Sequence, residues 1–222
     1  MNNLVSVIIP VKNGSNYINQ AINSIKKQNA NVEIIVVDDA STDNTIQIAE
    51  EQGWHIKRHA TSKGQVAGKN TGIEAAKGEY VIFLDHDDLM QEHALESLIF
   101  EFIKDPSLDV VQAQVQNFIS EDTLNQQQNI SLEPFFGIPT GCMLFRKSVF
   151  DKIGMIDENI TTGEMIFFKE KFEQNDIKLK KIELVTCKRR IHNSNYGKTA
   201  QKREYQDYAY MIREKLRNRS NL

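Results

Sequence analysis

Tyr80-Val81-Ile82-Phe83-Leu84-Asp85-His86-Asp87-Asp88 is an apolar run that stops abruptly in three carboxylates and a histidine. The apolar half is short and rich in β-branched and aromatic residues, the pattern of a strand covered on both faces in a mostly parallel sheet. In open α/β sheets ligands gather beyond the carboxyl ends of the strands. Hard oxygen donors in that place suit Mg²⁺ or Mn²⁺ carrying a substrate diphosphate. If the chain stays extended, the two-residue period of a strand puts Asp85 and Asp87 on one side. The competing reading is that these acids cap the following helix, since aspartate is favoured at N-caps and in first turns.

Upstream of that stretch the order strand, polar turn, helix repeats. Val5-Ser6-Val7-Ile8-Ile9-Pro10 is a β-branched run that Pro10 is expected to end, because proline donates nothing to a sheet ladder. Asn13-Gly14-Ser15 then leads into a helix over about Asn16 to Gln28, capped by Ser15 or Asn16, with Ile18, Ala21, Ile22 and Ile25 on one face. Val32 to Val37 reads as a strand ending in the acidic turn Asp38 to Asp43, and Thr45 to Gln52 as a helix stopped by Gly53. Trp54 to His59 is a short strand candidate before a loop at Thr61 to Gly64. A third helix spans about Gln65 to Ala76, with Gly78 expected as a left-handed cap.

Downstream, a helix from about Glu92 to Ile103 would bury Leu95, Leu98, Ile99 and Phe102 before Asp105-Pro106 ends it. This alternation predicts parallel strands with helices on both faces. From Val110 to Gln116 apolar and polar residues alternate, as in a half-exposed or edge strand. Ser120 to Ser131 has almost no apolar content and reads as a mobile loop. A strand at Thr140 to Phe145, a short helix at Arg146 to Ile153, a helix at Glu164 to Gln174 and a strand at Lys181 to Ile191 follow.

The 222 residues suffice for a full core, and 40% hydrophobic with 26% charged residues is ordinary for a globular chain. A formal charge of −3 gives no electrostatic case for nucleic acid, so no DNA or RNA partner is expected. Cys142 and Cys187 lie far apart with no CxxC spacing, which indicates neither a zinc knuckle nor a disulfide framework. Met1-Asn2-Asn3-Leu4 lacks a basic leader, and Val5 to Ile9 is too short to span a membrane, so the expectation is a cytoplasmic chain. The basic segment Gln201 to Arg219 carries Tyr205, Tyr208, Met211, Ile212 and Leu216 at helical spacing. It reads either as a solvated helix packing one stripe on the domain or as a peripheral membrane contact with acidic lipid.

Five separated motifs resemble glycosyltransferase family 2, whose members have the GT-A fold. They are Val7 to Asn13, Val36 to Asp43, Lys63 to Gly72, Phe83 to Asp88 and Gly141 to Glu164, in the family's order over about residues 4 to 192. The resemblance implies the nucleotide-diphospho-sugar transferase architecture, a mostly parallel central sheet with helices on both faces. One domain would fill residues 1–222, with a nucleotide-sugar-binding half to about 110, an acceptor half over about 111–195 and a C-terminal helical segment over 196–222. It implies transfer from a nucleotide-diphosphate sugar, most often UDP-linked, to a glycan, lipid-linked or peptide acceptor, with inversion.

By the same resemblance Pro10 and Val11 line the nucleobase pocket with Asn13 nearby, and Asp39 accepts a hydrogen bond from the base. On the residues alone the competing role of Asp39 is an N-cap for the following helix, which Ser41 or Thr42 fills just as well. Lys69 stands where the family has an arginine that approaches the nucleotide, keeping the charge without the bidentate fork. Asp85 and His86 face the nucleotide. Asp85 and Asp87 hold ribose and Mn²⁺ or Mg²⁺, and His192 falls where a further metal ligand is found. Arg189, Arg190 and Lys198 are candidates to neutralise phosphate. Where the family usually has Glu-Asp at a helix start, with the aspartate as general base, this chain has Glu164-Met165. Glu164 is then the candidate base, and the alternative is a catalytically impaired protein that binds nucleotide sugar without turnover. A nucleotidyltransferase also uses paired aspartates, but Pro10 to Gly14 is a poor match to the glycine-rich basic loop it would need.

Overall fold

The structure is a computed structural model, and it describes residues 3–121, 130–137, 141–160 and 164–192 (at Met165 the backbone only), together with Asp207, Tyr210 and Arg213. Its elements in order are β1 (Val5–Val11), α1 (Ile18–Lys26), β2 (Val32–Asp38), α2 (Thr45–Glu51), β3 (His55–Arg58), α3 (Gln65–Ala75) and β4 (Tyr80–Phe83). Then come β5 (Leu89–Met90), α4 (Ala94–Lys104), β6 (Val110–Ile119), β7 (Met143–Arg146), α5 (Val149–Ile153), α6 (Glu164–Gln174) and β8 (Leu179–Ile191).

All eight strands join one sheet in the order β3-β2-β1-β4-β7-β6-β8-β5. The first four are parallel, as the alternating pattern predicts. β7 pairs antiparallel with β4 and β6, and β8 returns parallel to β6. Every residue of β1 and β4 is buried, which is why both read as continuous apolar runs rather than alternating ones. Among the described residues no helix is long and apolar enough to cross a membrane.

Several local expectations are corrected. Pro10 does not end β1, which continues to Val11 opposite Asp38. The carbonyl of Ile8 faces β4 and accepts from Leu84 N, while that of Val11 faces β2 and accepts from Asp39 N. Pro10 shares the parity of Ile8, so its missing N–H points to the side where pairing with β4 has already ended at Ile8. α1 begins at Ile18, not Asn16, and no side chain caps it. Asn13 and Ser15 bind across to the next loop instead: Ser41 Oγ and Asp43 Oδ2 accept from their backbone N–H groups at 2.9 and 3.1 Å.

Gly78 is not left-handed; a Cβ there would lie 2.6 Å from the Leu4 carbonyl oxygen, so close approach of two backbones is what requires glycine. β6 is central rather than an edge, and Gln112 is buried with its amide donating to the Gly137 carbonyl at 3.1 Å. α4 starts at Ala94, two residues later than expected, behind His93 in a left-handed conformation. β7 takes Arg146, so the short helix begins at Val149, and β8 begins at Leu179 rather than Lys181.

The loop expected at Ser120 to Ser131 lies outside the described residues over 122–129, as does the basic stripe named for Gln201 to Arg219. Tyr210 within that segment is helical and packs against the core, and its hydroxyl donates to Asp157 Oδ2 at 2.9 Å.

Candidate active site

β4 ends at Phe83, and the chain then turns instead of staying extended: Asp88 N donates to the Asp85 carbonyl at 3.1 Å. The turn gathers Asp85, Asp87 and Asp88 so that one oxygen of each lies within 4.8 Å of the others. The helix-cap reading fails, because β5 intervenes and α4 starts at Ala94 with no side-chain cap. Burial pushes the Asp85 carboxyl up, opposed by the Lys69 ammonium and reinforced by Asp87 and Glu164. It pushes Asp88 well up too, helped by the charges of Asp85 and Asp87. Partial burial raises Asp87 too, but the hydrogen bond from His192, the charges of His86 and His192 and a backbone hydrogen bond together outweigh that and hold it below its usual range. Hard carboxylate oxygens crowded this closely fit an octahedral divalent cation such as Mg²⁺ or Mn²⁺.

His192 comes to the acids from 105 positions along the chain, with Nε2 2.9 Å from Asp87 Oδ2. It is buried, and its ring lies 4.8 Å from that of Tyr17. β8 carries it there because Arg190, two residues earlier, fastens the strand to the turn. Arg190 N donates to Asp88 Oδ1 at 2.9 Å and Nε to the Asp87 carbonyl at 2.8 Å. Its guanidinium lies between the rings of Tyr17 and Phe118 at 4.6 and 4.7 Å and donates to Gln20 Oε1. Arg190, named above for phosphate, is therefore a clamp on the acidic turn. Lys198 lies outside the described residues.

On the other side, the turns after β1 and β2 are laced together. Asn13 accepts from Thr42 N at 2.8 Å through Oδ1, and Gly14 N donates to Thr45 Oγ1 at 2.8 Å. His86 packs over this junction: a Cβ on Gly14 would lie 2.5 Å from His86 Cδ2 and from Val11 Cγ2. Val11 and His86 thus converge on Gly14, next in the chain to Asn13, with Pro10 beside Gly68 of α3, where a Cβ would stand 3.0 Å from Pro10 Cβ.

Asp39 is buried at the end of β2 and is not the cap of α2, which starts after Asn44. Its Oδ1 accepts from Lys63 N at 2.7 Å and meets His59 Nδ1 at 2.8 Å; Oδ2 accepts from Ser62 Oγ at 2.6 Å and Gly64 N at 2.9 Å. Burial raises the Asp39 pKa, but these four donors outweigh it and hold the carboxyl at about 2.

Lys69, expected at the nucleotide, is instead 1% exposed, and its ammonium donates to Glu164 Oε2 at 2.5 Å. Glu164, at the first position of α6, is itself 4% exposed. The candidate base is therefore half of a buried ion pair that joins α3 to α6, and both of its charges act on Asp85. One residue on, Asn70 binds the Ile156 backbone at both ends, Nδ2 to O at 2.8 Å and Oδ1 from N at 3.0 Å. Gly141 and Cys142, expected on the acceptor side, are buried. Gly141 N donates to the Phe83 carbonyl.

The structure brings together two groups of the expected residues, Asp85, Asp87 and His192 in one and Val11 and His86 in the other, while the Asn13 side chain turns to Thr42. Sequence reasoning missed His59, Ser62 and Asn70, which act through partners far away in the chain. It also missed Gln65, whose amide donates to Asp85 Oδ1 at 2.7 Å. A glutamine at the mouth of a helix gives no local signal for that contact.

The model of the family described as "Glycosyl transferase family 2" matches residues 6–174. Among curated proteins, an uncharacterized glycosyltransferase of Rickettsia prowazekii is 34% identical over 92% of this chain and 70% of its own. Glycosyltransferase GlyG of Streptococcus pneumoniae is 37% identical over 55% of this chain, which spans 42% of that relative. Among solved structures, TarS 1–349 of S. aureus in complex with UDP-GlcNAc superposes with a TM-score of 0.69 at 21% identity, over 88% of this chain and 61% of that one. The mannosyltransferase PcManGT of Pyrobaculum calidifontis, in complex with GDP-Man and Mn²⁺, gives 0.70 at 17% identity, over 94% and 64%. At such identities these likenesses speak for the fold, which is GT-A.

Proposed function

The chain belongs to glycosyltransferase family 2, and on that premise we propose that it transfers a sugar from a nucleotide-diphosphate donor, UDP-linked, to an acceptor hydroxyl with inversion. The reading is carried by one observation: an acidic turn at the carboxyl end of a buried strand, met by a histidine from 105 positions away. Asp85, Asp87 and His192 would hold Mn²⁺ or Mg²⁺, which neutralises charge developing on the departing nucleoside diphosphate. Pro10, Val11, Asn13, Asp39 and His86 would take the nucleoside, with Asp85 shared between ribose and metal. Lys69 would act as the counter-charge to Asp85 and Glu164. The half of the chain to about residue 110 would carry the donor and the remainder the acceptor.

Glu164 is the base in this reading, released from Lys69 to take the acceptor proton. A second reading has its own observation. Met165 stands where the family has its aspartate, and Glu164 is buried against Lys69, which favours a protein that binds the nucleotide sugar without turning it over.

Calorimetry with UDP, with and without Mn²⁺, tests the shared part. Binding that strengthens with Mn²⁺ and loses that gain in Asp87→Ala is the expected result. Equal affinity with and without the ion would remove the metal from the reading. Release of UDP from UDP-sugars by the parent but not by Glu164→Gln, with UDP binding kept, favours the enzyme; binding without release in both favours the second reading.

A further inference from the structure

We infer that Ser62 is a specificity-determining residue of the nucleobase site: its hydroxyl holds the place on Asp39 that an imino N–H of the donor's base takes. This rests on the proposed role of Asp39 and deepens it. A carboxylate offers about four lone-pair positions, and all four on Asp39 are engaged, by Lys63 N, Gly64 N, His59 Nδ1 and Ser62 Oγ. A base can therefore be read by Asp39 only in exchange for one of these donors.

Three of the four are costly to move. Lys63 N and Gly64 N are backbone, and releasing them means refolding the loop. His59 is buried and is pinned at its far nitrogen, where Nε2 lies 2.9 Å from Thr71 Oγ1 on α3. Ser62 is exposed, and its hydroxyl leaves Asp39 by a single rotation about χ1, without any backbone change. Its other partner, Lys12 Nζ at 2.9 Å, is the flexible end of a long exposed side chain that can follow or let go. Ser62 is thus the one replaceable donor of the set.

The exchange selects by chemistry. Uracil at N3 and guanine at N1 carry a hydrogen that can replace the Ser62 hydroxyl. Cytosine at N3 and adenine at N1 present a lone pair to the carboxylate and gain nothing when Ser62 turns away. Ser62 also sets the affinity, because a ligand that displaces it recovers only the difference between two hydrogen bonds.

The test is calorimetry of UDP and CDP, both with Mn²⁺, on the parent protein, Ser62→Ala, Ser62→Thr and Asp39→Ala. With the rival hydroxyl gone, Ser62→Ala should bind UDP about three- to tenfold more tightly, the net worth of one hydrogen bond. CDP should be unchanged, and Ser62→Thr, which keeps the hydroxyl, should match the parent. UDP binding that is lost in Asp39→Ala yet unchanged or weaker in Ser62→Ala overturns the proposal while leaving the nucleotide site standing. An equal gain for CDP overturns it as well. If UDP binds neither the parent nor Ser62→Ala, the nucleotide-sugar reading falls and this inference with it.

Discussion

Removing one member of the Lys69–Glu164 pair should be among the most damaging single changes in this chain. Both side chains are almost wholly buried, 2% and 5% exposed, with Nζ and Oε2 at 2.5 Å. Lys69→Met leaves Glu164 as a buried carboxylate without its counter-ion. It also strips Asp85 of the positive charge that opposes its burial. Breaking a buried pair from one side typically costs about 3–5 kcal/mol, because the remaining charge keeps its desolvation penalty and loses its partner. That is a large part of the roughly 5–15 kcal/mol that holds a domain folded. Glu164→Leu should cost a similar amount by stranding the ammonium. The double variant Lys69→Met with Glu164→Leu should cost no more than either single, since no unpaired charge remains and the volume is kept. Urea unfolding of the four proteins at neutral pH measures this from the midpoints and slopes. Singles that cost under about 1 kcal/mol, or a double that costs their sum, would refute the buried-pair reasoning.

Two further outcomes follow from the geometry. Asp39 has a folded pKa of about 2 against an ordinary 3.8, so it stabilises the fold above about 3.8 and that contribution is lost as pH falls toward 2. The size is about 2 kcal/mol. Urea unfolding between about pH 6 and pH 2 should show a shallower acid decline in Asp39→Asn, and the same decline as the parent would mean that its four donors do not hold the charge. Gly72→Ala should destabilise by about 1–3 kcal/mol, since its Cβ would lie 2.2 Å from Ile8 Cγ2 where α3 rests on β1. A change below about 0.5 kcal/mol in the same assay would mean that the helix slides freely over the strand.

Much of the framework can be read from local pattern. β1, β2 and β4 announce themselves as β-branched runs, and α1 and α4 bury the faces that their periodicity marks. The acidic cluster after β4 is equally plain, because a buried apolar run that stops in three carboxylates marks the end of a strand; that the chain turns there was not legible. Less legible was how each piece is used. β6 alternates like an edge strand but lies between β7 and β8, since Gln112 finds a carbonyl to satisfy it. Ser15 looks like a helix cap and Asn13 like part of the turn before it, yet both bind the neighbouring loop.

The sequence by itself determined the α/β class, the four parallel strands and the point where a buried strand gives way to Asp85, Asp87 and Asp88, because these depend on hydrophobic periods and strand ends that lie within a few residues of one another. Tertiary structure alone decided which partner each polar group would have. Asp87 receives His192, Lys69 is spent on Glu164, and Asp39 is filled by the loop around Ser62. Buried charges and hydrogen-bonding groups must be satisfied by whatever the fold brings beside them. Those partners lie 105, 95 and 23 positions away along the chain, a distance over which no local pattern in the sequence can reach.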